Sequence, residues 1–96
     1  MRALDQKLIL MTLLKISNLN NTDQYFYIDK DNALKLEVAF NLTEKGKDWS
    51  ELGDILYNFS IDKKVEYDFK INQEQFHFLR NLANEKKIKK STSNIN

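Results

Sequence analysis

From Ile55 to Ile71 the chain reads ILYNFSIDKKVEYDFKI, and its apolar residues take alternate positions: Ile55, Tyr57, Phe59 and Ile61, then Val65, Tyr67, Phe69 and Ile71. A period of two marks half-buried strands, because successive side chains of a strand point to opposite faces. Asp62-Lys63-Lys64 separates the two runs. A three-residue loop sets Ile61 opposite Val65, Phe59 opposite Tyr67 and Tyr57 opposite Phe69, with every apolar side chain on one face. A two-residue loop would turn one strand inside out. The stretch therefore predicts a hairpin whose other face carries Asn58, Ser60, Lys64, Glu66, Asp68 and Lys70.

A second alternating run places Leu34, Leu36, Val38, Phe40 and Leu42 between Lys35, Glu37, Ala39 and Asn41. Ahead of it stand the aromatic and β-branched residues Tyr25 to Ile28 and the polar group Asp29-Lys30-Asp31-Asn32, which reads as a turn. Together they predict another hairpin. The pattern leaves open whether Phe26 and Ile28 or Tyr25 and Tyr27 face the core. The pair left outside forms an exposed apolar or aromatic spot.

The two ends of the chain follow a helical period instead. In the expected helix over residues 4–19, Leu4, Leu8 and Met11 share one face, Ile9, Leu13 and Ile16 a second, and Leu10 and Leu14 a third. That is more apolar circumference than one sheet contact requires, so the helix is either sandwiched between the sheet and the other helix or presents a dimer or partner interface. The polar run SNLNNTD ends this helix. Near the other end, Asn72 and Gln75 have the spacing of a capping box, followed by an apolar stripe of Phe76, Leu79, Leu82 and Ala83. His77, Arg80, Asn81 and Asn84 lie opposite that stripe. Lys86, Lys87, Lys89 and Lys90 suit the negative end of the helix dipole, and residues 91–96 read as a flexible tail.

Between the hairpins, TEKGKD reads as a turn containing Gly46, and Asp48 with Glu51 has the form of a capping box. Trp49, Leu52, Leu56 and Phe59 keep helical spacing and compete with the strand pattern. Gly53, costly inside a helix and natural at its end, argues for one short turn followed by strand. The expected architecture is a single α+β domain over residues 1–90 with a tail at 91–96, in the order α-β-β-(short α)-β-β-α. Its four-stranded antiparallel sheet of two hairpins carries the N- and C-terminal helices on one face. The alternative is a winged-helix-like fold with a helix at 48–59.

Composition narrows the chemistry. Ninety-six residues, 42% apolar and 30% charged, are globular material for one modest core. A net charge of +1 fits neither a nucleic-acid mimic nor a strongly steered DNA binder. With no cysteine and one histidine, thiolate chemistry and a multi-histidine zinc site are excluded. His77 has only Glu74 on its face to orient it and no nucleophile beside it. The segment DKDNALKLE lacks the glycine and the final glutamate of a calcium loop, and no glycine-rich phosphate cradle occurs. No catalytic residue, metal, cofactor or small-molecule substrate is expected.

The uninterrupted apolar stretch of the N-terminal segment, Leu8 to Met11, is far short of the ~20 residues that span a bilayer, so a cytoplasmic protein without a membrane partner is expected. Abundant Asn, Lys and Ile suggest AT-rich coding DNA, such as that of a phage or plasmid. The leading expectation is a small non-enzymatic protein-binding module, a phage- or plasmid-encoded inhibitor or adaptor acting on a host or defence protein. A protein partner or a homodimer would be met through Leu10, Leu14, Tyr25, Tyr27 and Trp49. The alternative is a nucleic-acid-binding regulator whose phosphate contacts come from Lys63, Lys64, Lys86, Lys87, Lys89 and Lys90.

Overall fold

A computed structural model of the chain describes residues 13–63 and 67–91. Their elements are β1 (Leu14–Asn18), β2 (Asn21–Ile28), α1 (Lys30–Asn41), α2 (Lys45–Asp48), α3 (Ser50–Ser60), β3 (Asp68–Ile71) and α4 (Gln73–Glu85). The class is α+β, but the sheet is three-stranded and mixed, in the order β2-β1-β3. The four-stranded antiparallel sheet of two hairpins does not form.

The central strand β1 occupies residues expected in the N-terminal helix; residues 4–12 of that expected helix lie outside the described residues. β1 pairs antiparallel with β2, which sets Leu14 opposite Ile28 and Ile16 opposite Phe26. All four are fully buried or nearly so, which resolves the open choice on β2: Phe26 and Ile28 face the core. Lys15 and Ser17 stand opposite Tyr27 and Tyr25 on the other face. Where the register shifts after Ser17, the buried Asn18 side chain donates to Gln24 Oε1 (2.8 Å) and accepts from the Asn20 N–H (2.9 Å). The second edge of β1 takes β3 in parallel, with Ile16 beside Phe69 and Asn18 beside Ile71. Ser17 Oγ donates to Asp68 Oδ1 across that pair (2.7 Å).

The alternating run at 34–42 and the first half of the one at 55–71 are helical instead. Residues 30–41 form α1 because Asp29 caps it, its Oδ1 accepting from the Asn32 N–H at 2.9 Å. The expected turn is thus a helix start. Ala33, Leu36 and Phe40, at spacings of three and four, are fully buried. Residues 55–60 belong to α3, with Leu52, Leu56 and Phe59 buried and Tyr57 and Ile61 exposed. Only Asp68–Ile71 of the expected hairpin is a strand, and its partner is β1. The helical option for residues 48–59 is therefore met locally. The only hairpin among the described residues, however, precedes the helices rather than following them, so the arrangement is not winged-helix-like.

Gly53 does not stop a helix. It is buried inside α3, where a Cβ would come within 3.2 Å of Asn41 Oδ1 on α1, so the missing side chain lets the two helices approach. Gly46 plays the same part more strictly: a Cβ there would lie 3.0 Å from both Asn41 Cα and Phe40 O. The Asp48 box is not made either; α3 begins after Trp49 with no side-chain cap.

The last helix follows its sequence signal. Asn72 Oδ1 accepts from the Gln75 N–H (2.8 Å) while Gln75 Oε1 accepts from the Asn72 N–H (3.2 Å), a complete capping box. Phe76, Leu79, Leu82 and Ala83 are all buried, and the Phe76 ring meets Phe26 of the sheet at 5.7 Å. The core thus lies between one face of the sheet and the helices.

Candidate functional site

Once Ala33, Leu36 and Phe40 have turned inward, Leu34, Val38 and Leu42 are left on the opposite side of α1. They recur at i, i+4 and i+8 and so form one stripe. Their exposures are 42%, 53% and 84%. Such a stripe is the unusual feature, since a surface helix of a monomer normally carries one apolar face.

The chain after α4 supplies a wall beside this stripe. The helix closes with Lys87 in the left-handed region at φ 56°. Its N–H donates to Asn84 O (3.2 Å), and the Ile88 N–H reaches back to Ala83 O (2.8 Å). These are the two bonds of a Schellman closure, in which a residue two places beyond the cap folds back on the helix. Ile88 is buried as a result, and Ser91 exchanges backbone hydrogen bonds with Tyr27, which ties the segment to β2. Ser91 is therefore held in place rather than part of a loose tail, and residues 92–96 lie outside the described residues. Between α1 and this wall runs a shallow groove of about 550 Å³, lined by Leu34, Val38, Ala39, Leu42 and Ile88 with Lys35 and Lys86.

The residues singled out in the sequence are scattered. Leu10 lies outside the described residues. Leu14 is fully buried in β1, because it belongs to a strand and not to an over-apolar helix, so it offers no free surface. Tyr25 and Tyr27 are half-buried on the outer face of the sheet, edge to face at 5.7 Å, with Lys15 Nζ 4.6 Å from the Tyr25 ring centre. Trp49 packs edge-on against Phe78 at 5.6 Å and carries Lys45 Nζ over its ring at 4.7 Å. Its neighbours Lys45 and Phe78 line a different groove of about 380 Å³, together with Thr43, Glu44, Asn81, Leu82 and Glu85.

The lysines do not make a single surface. Lys63 is exposed just after α3, and Lys64 lies outside the described residues. Lys86 borders the α1 groove, Lys87 makes the helix closure, and Lys89 and Lys90 stand beside Tyr27, Asp29 and Asn32. None of the four lies within α4, which ends at Glu85 without a basic residue in its last turn. His77 Nδ1 is 2.7 Å from Arg80 Nη2; the guanidinium can only donate, so Nδ1 is the acceptor. That contact and the Arg80 packing over the Phe76 ring (5.2 Å) hold the imidazole on the helix surface. Among the described residues no group of three His, Cys, Asp or Glu is placed to hold a metal ion, and no helix is long and apolar enough to cross a membrane.

The sequence pattern, read as a strand, hid Leu34, Val38 and Leu42 as surface residues and Ile88 as the buried wall beside them. The signal was present: with Asp29 as an N-cap, residues 33–42 contain two apolar sets at helical spacing where the core needs one. Comparisons with protein-family models, curated proteins and solved structures return no match.

Proposed function

We propose that the protein is a binding module, an adaptor or inhibitor rather than an enzyme, that docks a second protein on the exposed face of α1. A cytoplasmic setting is part of the same proposal. One observation carries it. Three large aliphatic side chains stand in line on a capped helix beside a wall the chain builds with Ile88, leaving a groove that the domain's own described residues do not fill. Interfaces draw on such central apolar anchors surrounded by polar residues.

The test compares the wild-type chain with Val38→Asp, after a thermal melt shows that both are folded. A protein cross-linked to the wild type in cells and lost from the variant supports the proposal. An identical set of cross-linked proteins from both chains would refute it.

A further inference from the structure

Resting on that binding-face reading, the chemistry of the groove also specifies its occupant. We propose that it takes an amphipathic helix of a partner protein, its apolar ridge laid along Leu34, Val38 and Leu42 and its acidic side chains meeting Lys35 and Lys86.

Three observations lead there. The first is the kind of surface. A strand docks by pairing with free backbone groups, but the N–H and C=O groups of a helix interior are already bonded to one another. The floor of this groove is α1, so recognition falls to side chains, and helix-in-groove packing is the mode that uses them. The second is length. From Leu34 to Leu42 the stripe runs about 12 Å at 1.5 Å per residue, room for about two turns of a partner helix and its i, i+4, i+7 anchors.

The third is charge. Both ionisable side chains that line the groove are cationic, although the chain as a whole carries only +1. Lys35 makes no ion pair with a described residue. Lys86 has only Glu85 at 3.9 Å, a distance at which little is gained between exposed groups. Carboxylates on the occupant would find both cations available.

A second copy of the chain fits less well. Pairing two α1 helices antiparallel about a two-fold axis sets each flank against its own kind, Lys35 toward Lys35. A parallel pairing turns Lys35 toward the Glu37 flank, where the Glu37 carboxylate already accepts from the Asn41 side chain.

The experiment is selection of the immobilised full chain against a display library of amphipathic helical peptides that share one apolar ridge and vary Glu, Gln or Lys beside it. Glu-flanked peptides should be enriched several-fold over Lys-flanked ones, with the preference shrinking as salt rises. It should reverse when Lys35→Glu and Lys86→Glu are combined. If Gln- or Lys-flanked peptides are enriched equally, and Val38→Asp still abolishes selection, the acidic occupant is overturned while the binding face stands. If Val38→Asp removes nothing that was selected, both fall. Light scattering showing a wild-type dimer that Val38→Asp splits would give the face to a second copy. Protection of residues 4–11 from hydrogen exchange in a wild-type monomer, lost in Val38→Asp, would give it to the chain's own beginning. Either result overturns the proposal.

Discussion

The two apolar stripes of α1 are made of nearly the same residue types and have opposite fates. Leu36 and Phe40, with Ala33, are fully buried against the rest of the core, whereas Leu34, Val38 and Leu42 lie on the other side between 42% and 84% exposed. Hydrophobicity alone therefore does not tell which stripe is core. Position relative to the glycines does: Gly46 and Gly53 let the neighbouring helical segments close on the Phe40 and Asn41 side of α1, and no comparable element covers the other side among the described residues. One stripe holds the fold together. The other is left uncovered by the described residues.

The sharpest way to break this contrast is to shorten a side chain on the buried stripe. Phe40→Ala should cost about 3–5 kcal/mol in chemical denaturation, since it removes a fully buried ring and leaves a cavity. A loss under about 1 kcal/mol would mean that this stripe is not the core. Next in size, Gly46→Ala should cost about 1–3 kcal/mol, because the new methyl meets the backbone of Phe40 and Asn41. Gly53→Ala crowds the movable Asn41 side chain and meets the Phe40 ring only at an ordinary 3.7 Å, and should come out near neutral as its gain in helix propensity offsets the contact. Equal melting temperatures for these two variants would contradict the packing described at Gly46.

A smaller effect of opposite sign is expected at Lys87. A non-glycine residue in the left-handed region is strained by about 1 kcal/mol, so Lys87→Gly should raise stability by up to about that amount and keep Ile88 in place. A fall in melting temperature would deny that Lys87 closes α4. The smallest change belongs to the exposed stripe: Val38→Gln and Leu42→Gln should each alter stability by no more than about 0.5 kcal/mol. A large loss in either would place that stripe in the core after all.

Legibility in the sequence followed how local the determining interactions are. α4 was readable because Asn72, Gln75 and the stripe from Phe76 to Ala83 lie within one element and all point to the same answer. So were the strand character of Tyr25 to Ile28 and the α+β class. The run Leu34–Leu42 misled because two helical stripes, 36 with 40 and 34 with 38 and 42, interleave into a perfect alternation. Deciding between the periods required knowing that Asp29 is a cap. Gly53 misled for a tertiary reason: its role is contact with α1, which its own neighbours do not encode. The parallel pairing of β1 with β3 was least visible, since no turn joins the two strands and their partners lie more than fifty residues apart. For the site, the apolar residues were all in view, but their exposure depended on the helix assignment, and so the surface was sought in Leu14 and the aromatics instead.

That parallel pairing also has a history in time. A chain made from its N-terminus produces β1 and β2 together, but β3 is not made until the three intervening helices have been synthesised. For that interval the central strand of the finished sheet is an edge strand, its second row of N–H and C=O groups open to any other extended chain nearby. The newborn protein is thus most vulnerable to mispairing in the middle of its synthesis, and the Lys15 N–H bond to Tyr67 O and the Leu19 N–H bond to Ile71 O mark the two ends of the seam that finally closes it.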